Sequence, residues 1–149
     1  MKNDRLTAGA ISGIIAAIIQ NAYGSVAKAV GITDIAFSDF AKAIIFNQSL
    51  DGISGFVAGA LSHMAFGAML GVLFAFLISK TSSEYYYFKS LGFGIGTWFW
   101  SLAFGTMFKI NVFDQVKPIP ALSIFVGALL YGFVAGYFLK IIEKRSDLV

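Results

Sequence analysis

Residues 53–78 read ISGFVAGALSHMAFGAMLGVLFAFLI, and this stretch decides the fold. It carries no charged side chain, and Lys80 closes it. At 1.5 Å of rise per residue, a helix of this length exceeds the roughly 30 Å of a bilayer hydrocarbon core. Lipid cannot hydrogen-bond an open backbone, so such a segment must be helical. Small residues also recur along it every four positions: Gly55, Gly59, His63, Gly67 and Gly71. Four residues is close to one helical turn, so these five share a face.

Three further runs have the same character. Residues 6–27 precede Lys28, residues 88–108 lie between Lys89 near one end and Lys109 at the other, and residues 119–142 end at Glu143-Lys144-Arg145. The first run is too long for a signal peptide and is expected to remain as a helix. The expected fold is therefore an all-α integral membrane protein: a four-transmembrane-helix bundle in one domain, residues 1–149, with spans at 6–27, 53–78, 88–108 and 119–142. The alternating pattern of a membrane β-barrel is absent.

Composition agrees. Of the 149 residues, 58% are hydrophobic and 13% charged, about half the charge of a typical soluble domain; mean hydropathy is +0.79. The absence of cysteine excludes disulfides, thiolate metal sites and thiol redox chemistry. The net charge of +3 does not indicate nucleic-acid binding, because the basic residues sit at span ends, where headgroups account for them.

Lysine and arginine set the orientation. Lys2, Arg5, Lys80, Lys89, Lys140, Lys144 and Arg145 fall on one side, against Lys28, Lys42, Lys109 and Lys117 on the other. The richer side is expected to be cytoplasmic, with both termini and the 79–87 turn. In the long outer connection, 31–52, Phe37, Phe40, Ala41, Ile44 and Ile45 recur at helical spacing, with Asp39, Lys42 and Asn47 mostly opposite. This predicts a short interfacial helix at 39–46, capped by Ser38. Pro118 and Pro120 suit the first turn of the last span, where a missing N–H is harmless. Tyr85, Tyr86, Tyr87 and Phe88 at the inner boundary, with Phe108 and Phe113 at the outer, suit headgroup-level girdles.

Small-residue ridges recur on every span: Gly9, Gly13, Ala17, Asn21 and Ser25 on the first; Gly92 and Gly96, with Gly94 and Gly105 beside them, on the third; Ala128, Gly132 and Gly136 on the fourth. Such faces let backbones approach closely in lipid, where hydrophobicity does not pair helices. Gly67-Ala68-Met69-Leu70 also resembles Gly127-Ala128-Leu129-Leu130 sixty residues on, the sign of two hairpins of one kind.

Two polar positions interrupt the ridges. His63 and Asn21, with Gln20 beside it, lie at similar depth on neighbouring spans. They form a candidate buried polar cluster with Ser101 and Tyr131, His63 neutral and hydrogen-bonded to Asn21 or Gln20. On that footing, His63→Leu should push the ridges apart. An intramembrane histidine is a functional candidate by default, and equally an interhelical hydrogen bond. No Asp or Glu lies mid-span, one histidine cannot build a tetrahedral metal site, and Gly92-Phe93-Gly94-Ile95-Gly96 lacks the strand and acidic partner of a dinucleotide loop. No catalytic, cofactor or metal site is therefore expected.

Ser62-His63-Met64-Ala65-Phe66-Gly67-Ala68 and Leu130-Tyr131-Gly132 resemble His-x-x-Phe-Gly and Leu-Tyr-Gly stretches of small bacterial four-span inner-membrane proteins, including the YagU-like group. The resemblance implies a bacterial cytoplasmic membrane and no particular activity. The expected function is non-enzymatic, as a homo-oligomer or a subunit of a membrane complex. A channel or transporter for a small solute, using the His63 cluster, is the alternative.

Overall fold

The structure, a computed structural model, describes residues 4–46, 52–81, 84–110, 112 and 116–146. Lys2, Asn47 and Phe113 lie outside the described residues. These residues form five helices and no strand: α1 (Arg5–Ala29), α2 (Phe37–Phe46), α3 (Gly52–Lys80), α4 (Tyr86–Met107) and α5 (Pro118–Ser146).

The ends follow local chemistry. Asp4 caps α1, its carboxylate accepting from the Thr7 N–H at 2.9 Å and from the Thr7 hydroxyl; these bonds hold its carboxyl below the usual value of 3.8. α1 stops at Gly31, whose φ of 76° needs no Cβ, and the Ile32 N–H returns to the Ala27 carbonyl. α2 begins two residues before the expected start. Ser38 does not cap it. Asp39 does so, reaching back to the Ala36 N–H at 3.0 Å while pairing with Lys28 at 2.7 Å. Pro118 and Pro120 lie in the first turn of α5, and the first N–H that needs a partner, on Ala121, finds the Lys117 carbonyl.

Three of these helices, α1, α3 and residues 118–144 of α5, are long and apolar enough to cross a membrane. α4 has 22 residues, about 33 Å at the helical rise. Its glycines, tryptophans, serines and threonines dilute its apolar content. Large apolar side chains point outward along the helices, among them Ile18, Leu61, Met69, Phe99, Leu122 and Phe133, while the interior is lined largely by Ala16, Ala17, Ala75, Ala128 and Ala135 around a few large side chains, Phe74, Tyr131 and Leu139. That inversion of the soluble pattern suits lipid.

The termini share one end of the molecule, because α1 and α5 run antiparallel. Arg5 approaches Glu143 at 3.8 Å at that end, and the Tyr23 hydroxyl donates to the Ser123 carbonyl at 3.2 Å near the other. α1 is the central helix, packed along α3 on one side and α5 on the other; α4 packs on α5, α2 covers part of α3, and α3 scarcely meets α4. The ring of four helices expected from sequence is thus open along one seam.

The two tight seams are built alike. A Cβ on Gly13 would overlap the Gly67 carbonyl, and one on Gly71 the Gly9 carbonyl. Between α4 and α5, a Cβ on Gly94 would overlap the Ala128 carbonyl, and one on Gly132 the Ser90 carbonyl. Gly9 and Gly13 therefore match Ser90 and Gly94, an offset of 81; Gly67 and Gly71 match Ala128 and Gly132, an offset of 61. The two hairpins are structural repeats, one residue out of the sixty-residue register read from the sequence. Of the 20 residues by which the offsets differ, 12 lie in the longer connection of the first hairpin, which contains α2, and the rest in the longer adjoining ends of α1 and α3.

One ridge was placed on the wrong face. Gly92 and Gly96 have nothing within 4 Å of where a Cβ would stand. The packed face of α4 is Tyr86, Ser90 and Gly94. Gly136 completes it, since its Cβ would lie 2.6 Å from the Ser90 Cβ.

Candidate functional site

The α3 ridge has two partners rather than one. Gly67 and Gly71 face α1, but Gly59 faces α2: a Cβ there would lie 2.9 Å from the Ser38 carbonyl oxygen. Gly55 is also buried. His63 stands where the ridge changes partner. It is buried, and its ring stacks on Phe37 of α2 with centroids 5.8 Å apart and planes at 16°. Its Nδ1 is buried without a hydrogen-bond partner, as is the Asn21 Oδ1.

The expected hydrogen bond from His63 to Gln20 or Asn21 is not formed. The candidate cluster residues point to separate places. Gln20 is buried beside α5, its Nε2 3.6 Å from where a Cβ on Gly127 would be. The Tyr131 hydroxyl donates to the Gly67 carbonyl at 2.7 Å, locking α5 to the α1–α3 seam. Ser101 donates to the Thr97 carbonyl of its own helix at 2.6 Å. The sequence placed His63 and Asn21 at similar depth correctly, but the α2 helix supplies the aromatic surface that His63 meets.

A large concavity lies where sequence gave no signal, in the open seam between α3 and α4. It has a volume of about 1040 Å³, at the upper end of ligand-holding pockets. α3 contributes Phe66, Leu70 and Leu73, α4 contributes Phe93, Gly96, Thr97, Trp100, Ser101 and Phe104, and α2 roofs one end with Phe40, Ala43 and Ile44. The helices meet at the opposite end, nearer Arg5 and Glu143, where Phe74 packs on Tyr86 at 6.0 Å and on Phe93 at 5.2 Å. The cleft is thus a wedge, closed at the end away from α2. Trp100, Phe104 and Phe108 stack in succession along one wall, at 5.3 and 6.0 Å. Trp98, by contrast, points away, donating to the Ala121 carbonyl at 3.0 Å.

The wall hydroxyls are already used. Thr97 donates to the Gly94 carbonyl at 2.7 Å, and Ser101 bonds as above. Only their oxygen lone pairs remain to an occupant, so the surface offered is mainly apolar, with Lys109 at the rim. Lys109 ends α4 in a left-handed conformation, φ 49°, with the Ile110 N–H returning to the Gly105 carbonyl at 2.9 Å. Glycine is the favoured residue at this position of a helix terminus, and α1 has Gly31 there.

Among the described residues, no group of three or more His, Cys, Asp or Glu side chains could hold a metal ion. No family model, curated protein or solved structure matches the chain.

Proposed function

We propose that this is a non-enzymatic integral membrane protein that crosses the bilayer four times, with both termini cytoplasmic, and acts by binding within the bilayer through the lateral cleft between α3 and α4. The fourth crossing is α4, which runs beside α5 in the same register as α1 beside α3. One observation carries the binding role: a cleft of about 1040 Å³ with apolar walls, whose hydroxyls are bonded to their own helix. The walls are mainly apolar, so the binding role is better supported than conduction.

The chain has no cysteine, which makes spin labelling direct. A label at Leu70→Cys in liposomes should collide readily with oxygen and poorly with a water-soluble nickel complex. High nickel accessibility would indicate an aqueous path and reinstate a channel or transporter.

A second reading concerns assembly. Gly92 has nothing within 4 Å of where a Cβ would stand and Gly96 lines the cleft, so a helix of another copy or another membrane protein packing on these small residues would compete with the occupant of the cleft. We propose that the protein associates there, as a homo-oligomer or a subunit. A monomeric mass in nanodiscs and in several mild detergents would remove this second reading.

A further inference from the structure

We propose that the α3/α4 cleft seats one phospholipid with an anionic headgroup, its chains between Phe66, Leu70, Trp100 and Phe104 and its phosphate at Lys109. The proposal rests on the reading of the cleft as open to lipid. It adds what the occupant is and what recognises it.

The shape suits a lipid. From Phe93 at the floor to Lys109 at the rim is sixteen residues, about 24 Å at the helical rise. One leaflet is roughly half of a 30 Å core, about 15 Å, so the wedge is deep enough for a chain hanging from a headgroup at the rim. The α2 helix crosses the outer mouth with Phe40, Ala43 and Ile44, in the way of a spanning partner helix. A lipid enters sideways from its leaflet and avoids it.

The charge comes from the helix ends. Lys28 lies in the last turn of α1, and Lys109 follows the end of α4 in the left-handed position that Gly31 takes after α1. Lys28 meets Asp39 of α2 at 2.7 Å. Among the described residues the second hairpin has no counterpart of α2, and no carboxylate pairs with Lys109 or lines the cleft. A phosphate at the rim would stand to Lys109 as Asp39 stands to Lys28. The favourable end of the helix dipole is satisfied by a cation anywhere in the last turn. It does not explain lysine at the one backbone position where glycine is preferred.

Trp100 lies in the cleft and Trp98 does not, and these are the two tryptophans of the chain. In Trp98→Phe, fluorescence therefore reports the cleft. The protein is reconstituted in phosphatidylcholine vesicles containing brominated phosphatidylglycerol or brominated phosphatidylcholine. Phosphatidylglycerol should be preferred at Trp100 by about five-fold, the ratio expected for one basic residue near a membrane surface. Lys109→Gly should abolish the preference. A reporter on the outward face of α4, Ile95→Trp with both native tryptophans changed to Phe, should show little preference. Native mass spectrometry of the unsubstituted protein in phosphatidylglycerol nanodiscs should retain one such lipid, and Lys109→Gly should lose it. Equal quenching by the two lipids, or a preference that survives Lys109→Gly, overturns the proposal while leaving the cleft lipid-facing. Failure of either lipid to quench Trp100 overturns both, and would mean that a second copy or another protein fills the seam.

Discussion

A single added methyl group at Gly13 tests the helix packing most directly. The Cβ of Gly13→Ala would overlap the Gly67 carbonyl oxygen and lie 2.9 Å from the Gly71 Cα, where carbon atoms settle at roughly 3.5–4.0 Å. Both obstacles are backbone, so no rotamer change relieves them and α1 must move away from α3. Overpacking of this kind costs about 1–3 kcal/mol. Alanine also gains about 0.5–1 kcal/mol over glycine as a helix former, which obscures the steric term in one variant alone. Gly92→Ala, measured on monomeric protein, supplies the control, because within one chain its Cβ meets nothing within 4 Å and the propensity gain is similar. The difference between the two variants isolates the clash, and should be about 1–3 kcal/mol with Gly13→Ala the less stable. Gly94→Ala should resemble Gly13→Ala, since it meets the Ala128 carbonyl in the equivalent way. Unfolding by SDS in mixed micelles, followed by circular dichroism, measures all three. If Gly13→Ala and Gly92→Ala agree within about 0.5 kcal/mol, the helices do not pack through these backbones and the repeat loses its basis.

Tyr131→Phe removes the hydroxyl bonded to the Gly67 carbonyl and should cost about 0.6 kcal/mol, at most about 1.7, in the same titration; a larger loss would mean the ring itself had moved. His63→Leu leaves no unpartnered buried nitrogen, so it should be neutral or stabilising by up to about 1 kcal/mol, contrary to the ridge-splitting expected from sequence; a clear loss would show that the imidazole is in use. The Asp4 carboxyl is held below 3.8, so its cap is fully present above that value and lost as pH falls through the lowered one. The protection factor of the Thr7 amide, measured against the intrinsic exchange rate at each pH, should therefore fall at low pH, and Asp4→Asn should flatten that dependence. Reporters after Val149 and near Ser82 should read cytoplasmic, and those near Asp34 and Asp114 external; a cytoplasmic signal at Asp114 would overturn the fourth crossing.

Much of this architecture is written locally. An uncharged run such as 53–78 can only be a helix in lipid, Gly31 and Pro118 mark ends, and α2 was legible from Phe37, Phe40 and Ala41 recurring against Asp39 and Lys42. The Gly9, Gly13, Gly67 and Gly71 seam was also visible, because a face with no side chains has one use between membrane helices. α4 resisted this reading. Gly92 and Gly96 lie about 200° around the helix from the Ser90–Gly94 face, and both faces are small. Only the positions of the Ala128 and Ser90 carbonyls decide which one packs.

The sequence by itself determined where the helices lie and which residues are small enough for close approach, since length, hydropathy and turn chemistry act within a few residues. Only the tertiary structure decided that His63 meets Phe37 rather than Asn21, that the repeat carries offsets of 81 and 61, and that the seam between α3 and α4 stays open. Each of these depends on which surface comes opposite another. A cleft in particular is a place where side chains fail to meet, so no residue or spacing encodes it before the chain has folded.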